Sequence, residues 1–231
     1  MNTALTILHL NWNPWFFDGK SLEEICVKVP VPSQASPKSG IKQIVETEAK
    51  FWVTDPSALS QAILRQGFTS SEELKQRDEY FDFRDRRLNS LDFAVRLRKE
   101  AGRIFVSLKG PRSYAANNKY SRIELEFEAK DEVSIREDMK LRQLEITWYF
   151  EKRRTSYSRP DSPVIIVIDE VPEVGFFAEI EGPLEDVRAV LLSLEPYLGP
   201  KERRNYKEIF VESKKAQGLS ATDINGASFT G

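Results

Sequence analysis

The stretch "ETEAK" sets Glu46, Glu48 and Lys50 at alternate positions with small residues between them. Alternation is the period of a β-strand, so the two carboxylates and the ammonium share one face. The pattern recurs down the chain. Arg96 and Arg98 alternate with Val95 and Leu97, and Arg122, Glu124 and Glu126 with Ile123 and Leu125. Lys109, Lys152, Arg154, Asp169, Glu179 and Glu181 occupy equivalent places in four further segments. Carboxylate pairs at this spacing can hold a hard cation, and lysine–arginine rows can clamp phosphate oxygens. A strand with one solvated face shows the same alternation, so each pair alone reads equally well as wet surface. Two features set the group apart: the polar faces are almost purely ionic, and the signs are sorted by segment. Acids come from the first and last strands, bases mainly from the middle.

Other chemistries have few residues to work with. The 231 residues include one cysteine, Cys26, and one histidine, His9. That excludes an internal disulfide and a thiolate metal cluster, and leaves little room for Ser/His or Cys/His catalysis. Net charge is −2 with 30% charged residues, so bulk electrostatics gives no reason to expect nucleic acid. The apolar start "ALTILHL" lacks a basic flank and a cleavage site, and no run is long enough to span a bilayer. The expectation is a cytoplasmic protein with no membrane or nucleic-acid partner, as a monomer or homodimer.

The elements that must position these residues are mostly strands. Residues 1–40 read as an extension ending in the linker-like "VPVPSQASPKSG", residues 41–215 as the folded domain and 216–231 as a flexible tail. Strand patterns begin with "IKQIVETEAKFWV" and continue through "EYFDFRD", "DFAVRLRKE", "RIFVSLKG", "SRIELEFEA", "EITWYFEKRRTSY", "PVIIVIDEV" and "GFFAEIEG". Asp55-Pro56 starts a helix with Leu59, Ala62 and Ile63 inward, and a second amphipathic helix follows Pro183. Glu100-Ala101-Gly102-Arg103 reads as a hairpin turn. Between Asp131 and Glu145 the apolar residues fit a helical period poorly, so any helix there should be truncated. Many antiparallel strands with few helices imply a mainly β, α+β barrel or sandwich.

In this order the segments "ETEAK", "QRDEYFD", "AVRLR", "SLKGP", "SRIELEFE", "FEKRRTSY", "IVIDEVPEVGFFAEIEG" and "RRNYKEIF" resemble the CYTH superfamily, the triphosphate tunnel metalloenzymes. The resemblance covers about residues 42–212. It implies an eight-stranded antiparallel closed β-barrel forming a tunnel that binds a triphosphate-containing small molecule with Mg²⁺ or Mn²⁺. It further implies metal ligation by Glu46, Glu48, Asp169, Glu179 and Glu181. Lys50, Arg96, Arg98, Lys109, Arg122, Lys152, Arg154 and Lys207 would bind substrate; Lys50, Glu179, Lys152 and Arg154 would be catalytic; Glu124 and Glu126 would line the tunnel. The implied activities are triphosphate hydrolysis and, as an alternative, cyclisation of ATP to cyclic AMP and pyrophosphate. A non-catalytic polyphosphate- or nucleotide-binding module is a third reading.

Overall fold

The computed structural model describes residues 42–45, 48–111, 113–114, 120–121, 123–220 and 225–229. Cys26, His9, Glu46, Arg122 and the proposed N-terminal extension lie outside them. Strands β1 (Lys42–Val45) and β2 (Glu48–Val53) precede helix α1 (Pro56–Arg65), then β3 (Thr69–Ser70) and β4 (Leu74–Asp82). A single turn, α2 (Arg87–Ser90), leads to β5 (Ala94–Glu100), β6 (Arg103–Lys109), β7 (Ser113–Tyr114), β8 (Tyr120–Ser121) and β9 (Ile123–Ala129). Helix α3 (Glu132–Leu141) precedes β10 (Glu145–Ser158), β11 (Ile165–Val171), β12 (Gly175–Glu181) and α4 (Leu184–Leu194). Strand β13 (Lys201–Glu202), helix α5 (Tyr206–Ala216) and β14 (Gly226–Ala227) end the chain.

The main sheet runs β1-β9-β6-β5-β4-β10-β11-β12-β2-β13, antiparallel at every step. β3 and β14 also pair with β10. The mainly β, antiparallel architecture is as expected, while the hydrogen bonds do not show the expected closure into an eight-stranded barrel. Among the described residues the ladder does not close on itself, because β1 and β13 end it. Yet Val45, on the edge strand, and Glu48, on the ninth strand of the path, are three residue steps apart. Backbone geometry limits that span to about 11 Å. The sheet must curl until its two ends nearly meet, and the covalent chain rather than a ladder links them.

Local chemistry explains the turns and helices. In the β5–β6 hairpin Ala101 and Gly102 have φ of 48° and 76°, the two-residue geometry that matches strand twist and that glycine adopts without strain. Asp55 caps α1 by accepting from the Ala58 amide at 2.9 Å, with Pro56 at the first helical position. The helix thought to be truncated is present. Asp131 accepts from the Val133 and Ser134 amides, and Ile135 and Met139, one turn apart, are buried.

Both faces of the β10-β11-β12-β2 sector are covered. On the outer face Val53, Tyr157, Ile166, Ile168, Ala178 and Ile180 pack with Leu59, Ala62 and Ile63 of α1 and Val187, Val190 and Leu194 of α4. Each such aliphatic side chain contributes roughly 1.5–3 kcal/mol on burial. That assigns the alternate residues, including Lys152, Asp169 and Glu179, to the inner face.

Candidate active site

The inner face divides into an apolar end and an ionic middle. At the apolar end Trp148, Phe150, Val171 and Phe177 meet Ile209 and Phe210 of α5, with Trp52, Tyr80 and Tyr206 against them. Helix α5 thus stops one end of the curled sheet. Asn205 and Glu208 form a reciprocal capping box that fixes where this helix starts, and so where Tyr206 sits. The Tyr206 ring stacks on Phe150 with centroids 5.4 Å apart and meets Phe177 edge-on at 5.2 Å.

Tyr206 is also the boundary of the ionic middle. Its hydroxyl donates to Asp169 Oδ2 at 2.9 Å, and its ring lies under Lys50 Nζ at 4.2 Å and Lys152 Nζ at 5.4 Å. Asp169 is fully buried. Lys152 Nζ donates to its Oδ2 at 2.9 Å, and the Arg154 guanidinium grips both oxygens at 2.6 Å each. Arg154 Nη2 also donates to Glu179 Oε2 at 2.6 Å, while Lys50 Nζ pairs with Glu179 Oε1 at 3.3 Å. Lys50 reaches the Arg204 carbonyl as well, at 3.4 Å. The Arg204 loop is held by Glu202, which accepts from the Arg203 and Arg204 amides and from Trp52 Nε1.

A second cluster lies on β4, β5, β6 and β9. Arg98 donates to Asp78 Oδ1 and Oδ2 at 2.7 and 2.8 Å. Arg96 reaches Asp78 Oδ2 at 3.5 Å, Ser107 Oγ at 3.0 Å and Glu126 Oε2 at 3.1 Å. Strand register explains the convergence: Asp78 faces Arg98, and Arg96 faces Ser107, which in turn faces Glu126.

These ionic pairs are deep. The side chains of Lys50, Arg96, Arg98, Lys152 and Arg154 are 4–15% exposed. Burial pushes the Lys152 ammonium down to about 8, with the Arg154 charge adding to the effect and Asp169 and Glu179 opposing it. Burial would raise the Asp169 carboxyl, but Lys152 and Arg154 outweigh it and hold it below its usual value. The same contest lowers Asp78 strongly, with Arg98 and Arg96 prevailing over burial. Glu181 moves the other way: burial and the neighbouring Glu179 raise it. Burial, with Glu179 and Asp169 nearby, raises the Tyr206 phenol, which stays a proton donor.

The residues singled out from the sequence are thus partly assembled. Lys50, Lys152, Arg154, Asp169 and Glu179 converge, and Arg96 and Arg98 meet at a residue not foreseen, Asp78, with Glu126 on the far side of Arg96. Lys109 on β6 stands opposite Glu124 on β9. Lys207 stands over the Trp148 ring at 5.3 Å, with Arg86 and Asp82 as its charged neighbours. Tyr206, its predecessor in the sequence, is the residue of that helix in the cluster.

For a metal, the relevant observation is register: Glu48 lies directly opposite Glu181, and Glu179 is two residues along on the same face. Like charges set opposite one another repel, and a divalent cation relieves that; an all-oxygen donor set suits Mg²⁺ or Mn²⁺. Among the described residues no three acidic, cysteine or histidine side chains converge as a ready cage. Asp169, placed in the metal set by the sequence reading, has both oxygens occupied by cationic and phenolic donors.

The CYTH domain family model matches residues 45–208, most of the chain. The chain belongs to the CYTH family. This family binds triphosphate substrates with a metal ion. A protein of Methanocaldococcus jannaschii named "Putative adenylate cyclase" is 28% identical over 144 residues, 62% of this chain and 80% of its own. Among solved structures, the PH1819 protein of Pyrococcus horikoshii superposes with a TM-score of 0.58 at 24% identity, covering 72% of this CYTH chain and 98% of its own. A Hippeastrum protein, titled a "putative adenylyl cyclase" with a dominant triphosphatase activity, gives 0.54 at 20% identity, covering 76% and 98%. At these identities the structural matches establish the shared fold. No helix among the described residues is long and apolar enough to cross a membrane.

Proposed function

We propose that this CYTH protein hydrolyses a phosphoanhydride of a triphosphate laid along the inner face. The observation that carries the reading is the buried row of Lys50, Arg96, Arg98, Lys152 and Arg154, each held beside a carboxylate on a face that β12 and β2 continue with Glu179, Glu181 and Glu48. Burying an ion costs several kcal/mol even after relaxation. A face carrying both signs suits a ligand that itself carries both, a polyphosphate with a divalent cation.

In this reading Arg96, Arg98 and Lys109 bind the phosphate oxygens. Lys50, Lys152 and Arg154 neutralise charge as it develops on the transferred phosphoryl group and the leaving oxygen. Water held beside Glu179 and Glu181 attacks the terminal phosphorus; the P–O bond to the bridging oxygen breaks, leaving orthophosphate and diphosphate. Glu46, Glu48, Glu179 and Glu181 would hold Mg²⁺ or Mn²⁺, which supplies charge neutralisation across the phosphates. Asp169 fits better as the anchor of Lys152, Arg154 and Tyr206 than as a ligand, because its lone pairs are committed.

A second reading, cyclisation of ATP, is favoured by the name of the M. jannaschii relative. There the ribose 3′-hydroxyl attacks the α-phosphorus and diphosphate leaves. Hydrolysis is preferred because it asks only for the ionic face, whereas cyclisation also needs an adenosine pocket. Incubation with tripolyphosphate, thiamine triphosphate or ATP and Mg²⁺ or Mn²⁺ separates them. Orthophosphate from tripolyphosphate is the expected result; cyclic AMP with diphosphate as the main products of ATP would replace hydrolysis with cyclisation. Tight binding without any turnover would leave a binding module.

A further inference from the structure

We propose that Asp78 is the positioning residue of the phosphate-receiving arginine pair, fixing Arg98 and Arg96 as one rigid fork; this rests on the reading of those arginines as phosphate ligands. Asp78 is 3% exposed and sits on β4 directly opposite Arg98. Its two oxygens take Nε and Nη2 of Arg98 at 2.7 and 2.8 Å, the planar two-bond geometry that fixes a guanidinium in direction as well as place. Oδ2 also meets Arg96 Nη1 at 3.5 Å, while Ser107 and Glu126 hold Arg96 Nε and Nη2. Arg98 keeps its other Nη free of the Asp78 grip, so the group is oriented without being used up. Long cationic side chains on neighbouring strands would otherwise pay rotamer entropy on closing over phosphate. Asp78 removes that cost in advance.

A mere counter-charge would behave in the opposite way. An anion on the inner face competes with phosphate, so removing a counter-charge tightens polyanion binding; removing a positioning residue weakens it. The test is isothermal titration of the full chain with inorganic tripolyphosphate in the presence of chelator, with thermal unfolding alongside. Asp78→Asn puts an amide N–H against a guanidinium N–H and should weaken binding about tenfold or more. Asp78→Glu retains the charge but misplaces the carboxylate, and should weaken binding to a similar extent at a near-native unfolding midpoint. Arg98→Lys, which cannot be gripped at two points, should do the same, and adding Asp78→Glu to it should cost less than a further threefold. In turnover, KM should rise more than kcat falls. Tighter binding by Asp78→Asn, or native affinity in Asp78→Glu, would overturn the positioning role alone. No tripolyphosphate binding by the wild-type chain, either with chelator or with Mn²⁺ supplied, would overturn the phosphate reading along with it.

Discussion

Asp169 concentrates more of the site's charge than any other described residue, with Lys152, Arg154 and Tyr206 all directed at two buried oxygens. Asp169→Asn preserves the shape but leaves two buried cations short of a partner. Breaking a buried ion pair by removing one member costs about 3–5 kcal/mol, so urea unfolding should show a loss in that range. With Lys152 and Arg154 released, kcat/KM for the preferred triphosphate should fall by about a hundredfold or more. Lys152 gives a pH prediction whose sign is fixed. Its ammonium titrates at about 8 in the folded chain and at the ordinary 10.5 when unfolded. Between those values the unfolded state holds more protons, so this group makes stability rise with pH through that window, and below about 8 it carries its full cost. Subtracting the urea-stability profile of Lys152→Met from that of the wild type should leave this rising limb. Alternation put Lys152 with Arg154 on one face of its strand, and the family resemblance brought Asp169 and Glu179 to the same face. Alternation passed over Asp78 because Arg77 and Glu79, on the opposite face, are charged too and pair with Glu151 and Arg136 outside, which hides the period. Tyr206 was hidden for a different reason: it enters the sheet from a helix cap, and strand periodicity cannot report that.

Helix α5 and strand β14 act together at the apolar end. Ala227 is fully buried against the Trp148–Phe210 cluster, and β14 lies parallel to β10 beyond the end of the β11 ladder. Gly226 makes this possible: a Cβ there would stand 2.4 Å from the Tyr149 ring. Phe229 then receives the Arg153 guanidinium over its ring at 4.1 Å, and its amide donates to Glu151 at 3.1 Å. The stretch read from the sequence as a tail thus contains a docked segment. Its small, polar composition gave no sign of this, since burial here comes from backbone fit and not from apolar side chains. Ending the chain after Ser220 should lower stability by about 2 kcal/mol, read from the urea midpoint, through loss of these contacts. Helix α3 was missed for a comparable reason: Val133 and Leu141 are exposed, so only Ile135 and Met139 of its apolar residues mark the inner stripe. The Asp131 cap was the usable signal.

At the scale of the molecule, a net charge of −2 conceals an inner face on which deep cations and carboxylates are paired. A ligand that completes that face and ignores the unfolded chain must stabilise the fold. At one hundred times Kd, tripolyphosphate with Mn²⁺ adds about 2.7 kcal/mol, or roughly 5–10 °C in unfolding midpoint for a domain of this size. Either component alone should give a smaller shift in a thermal scan. The order of strands was legible because each carries its own alternation; closure was not, because it depends on how the two ends of one sheet approach. That approach has a kinetic side. The β4–β5–β6 and β10–β11–β12 runs pair with near neighbours in sequence, but β2 pairs with β12, whose residues lie more than a hundred positions later. Closing so long a loop carries a larger entropy cost than any of those hairpins and yields the pairing of Lys50 with Glu179. A chain still being synthesised can therefore own its hairpins before Lys50 and Glu179 meet, and the ionic middle of the inner face is complete only once that long-range pairing is made.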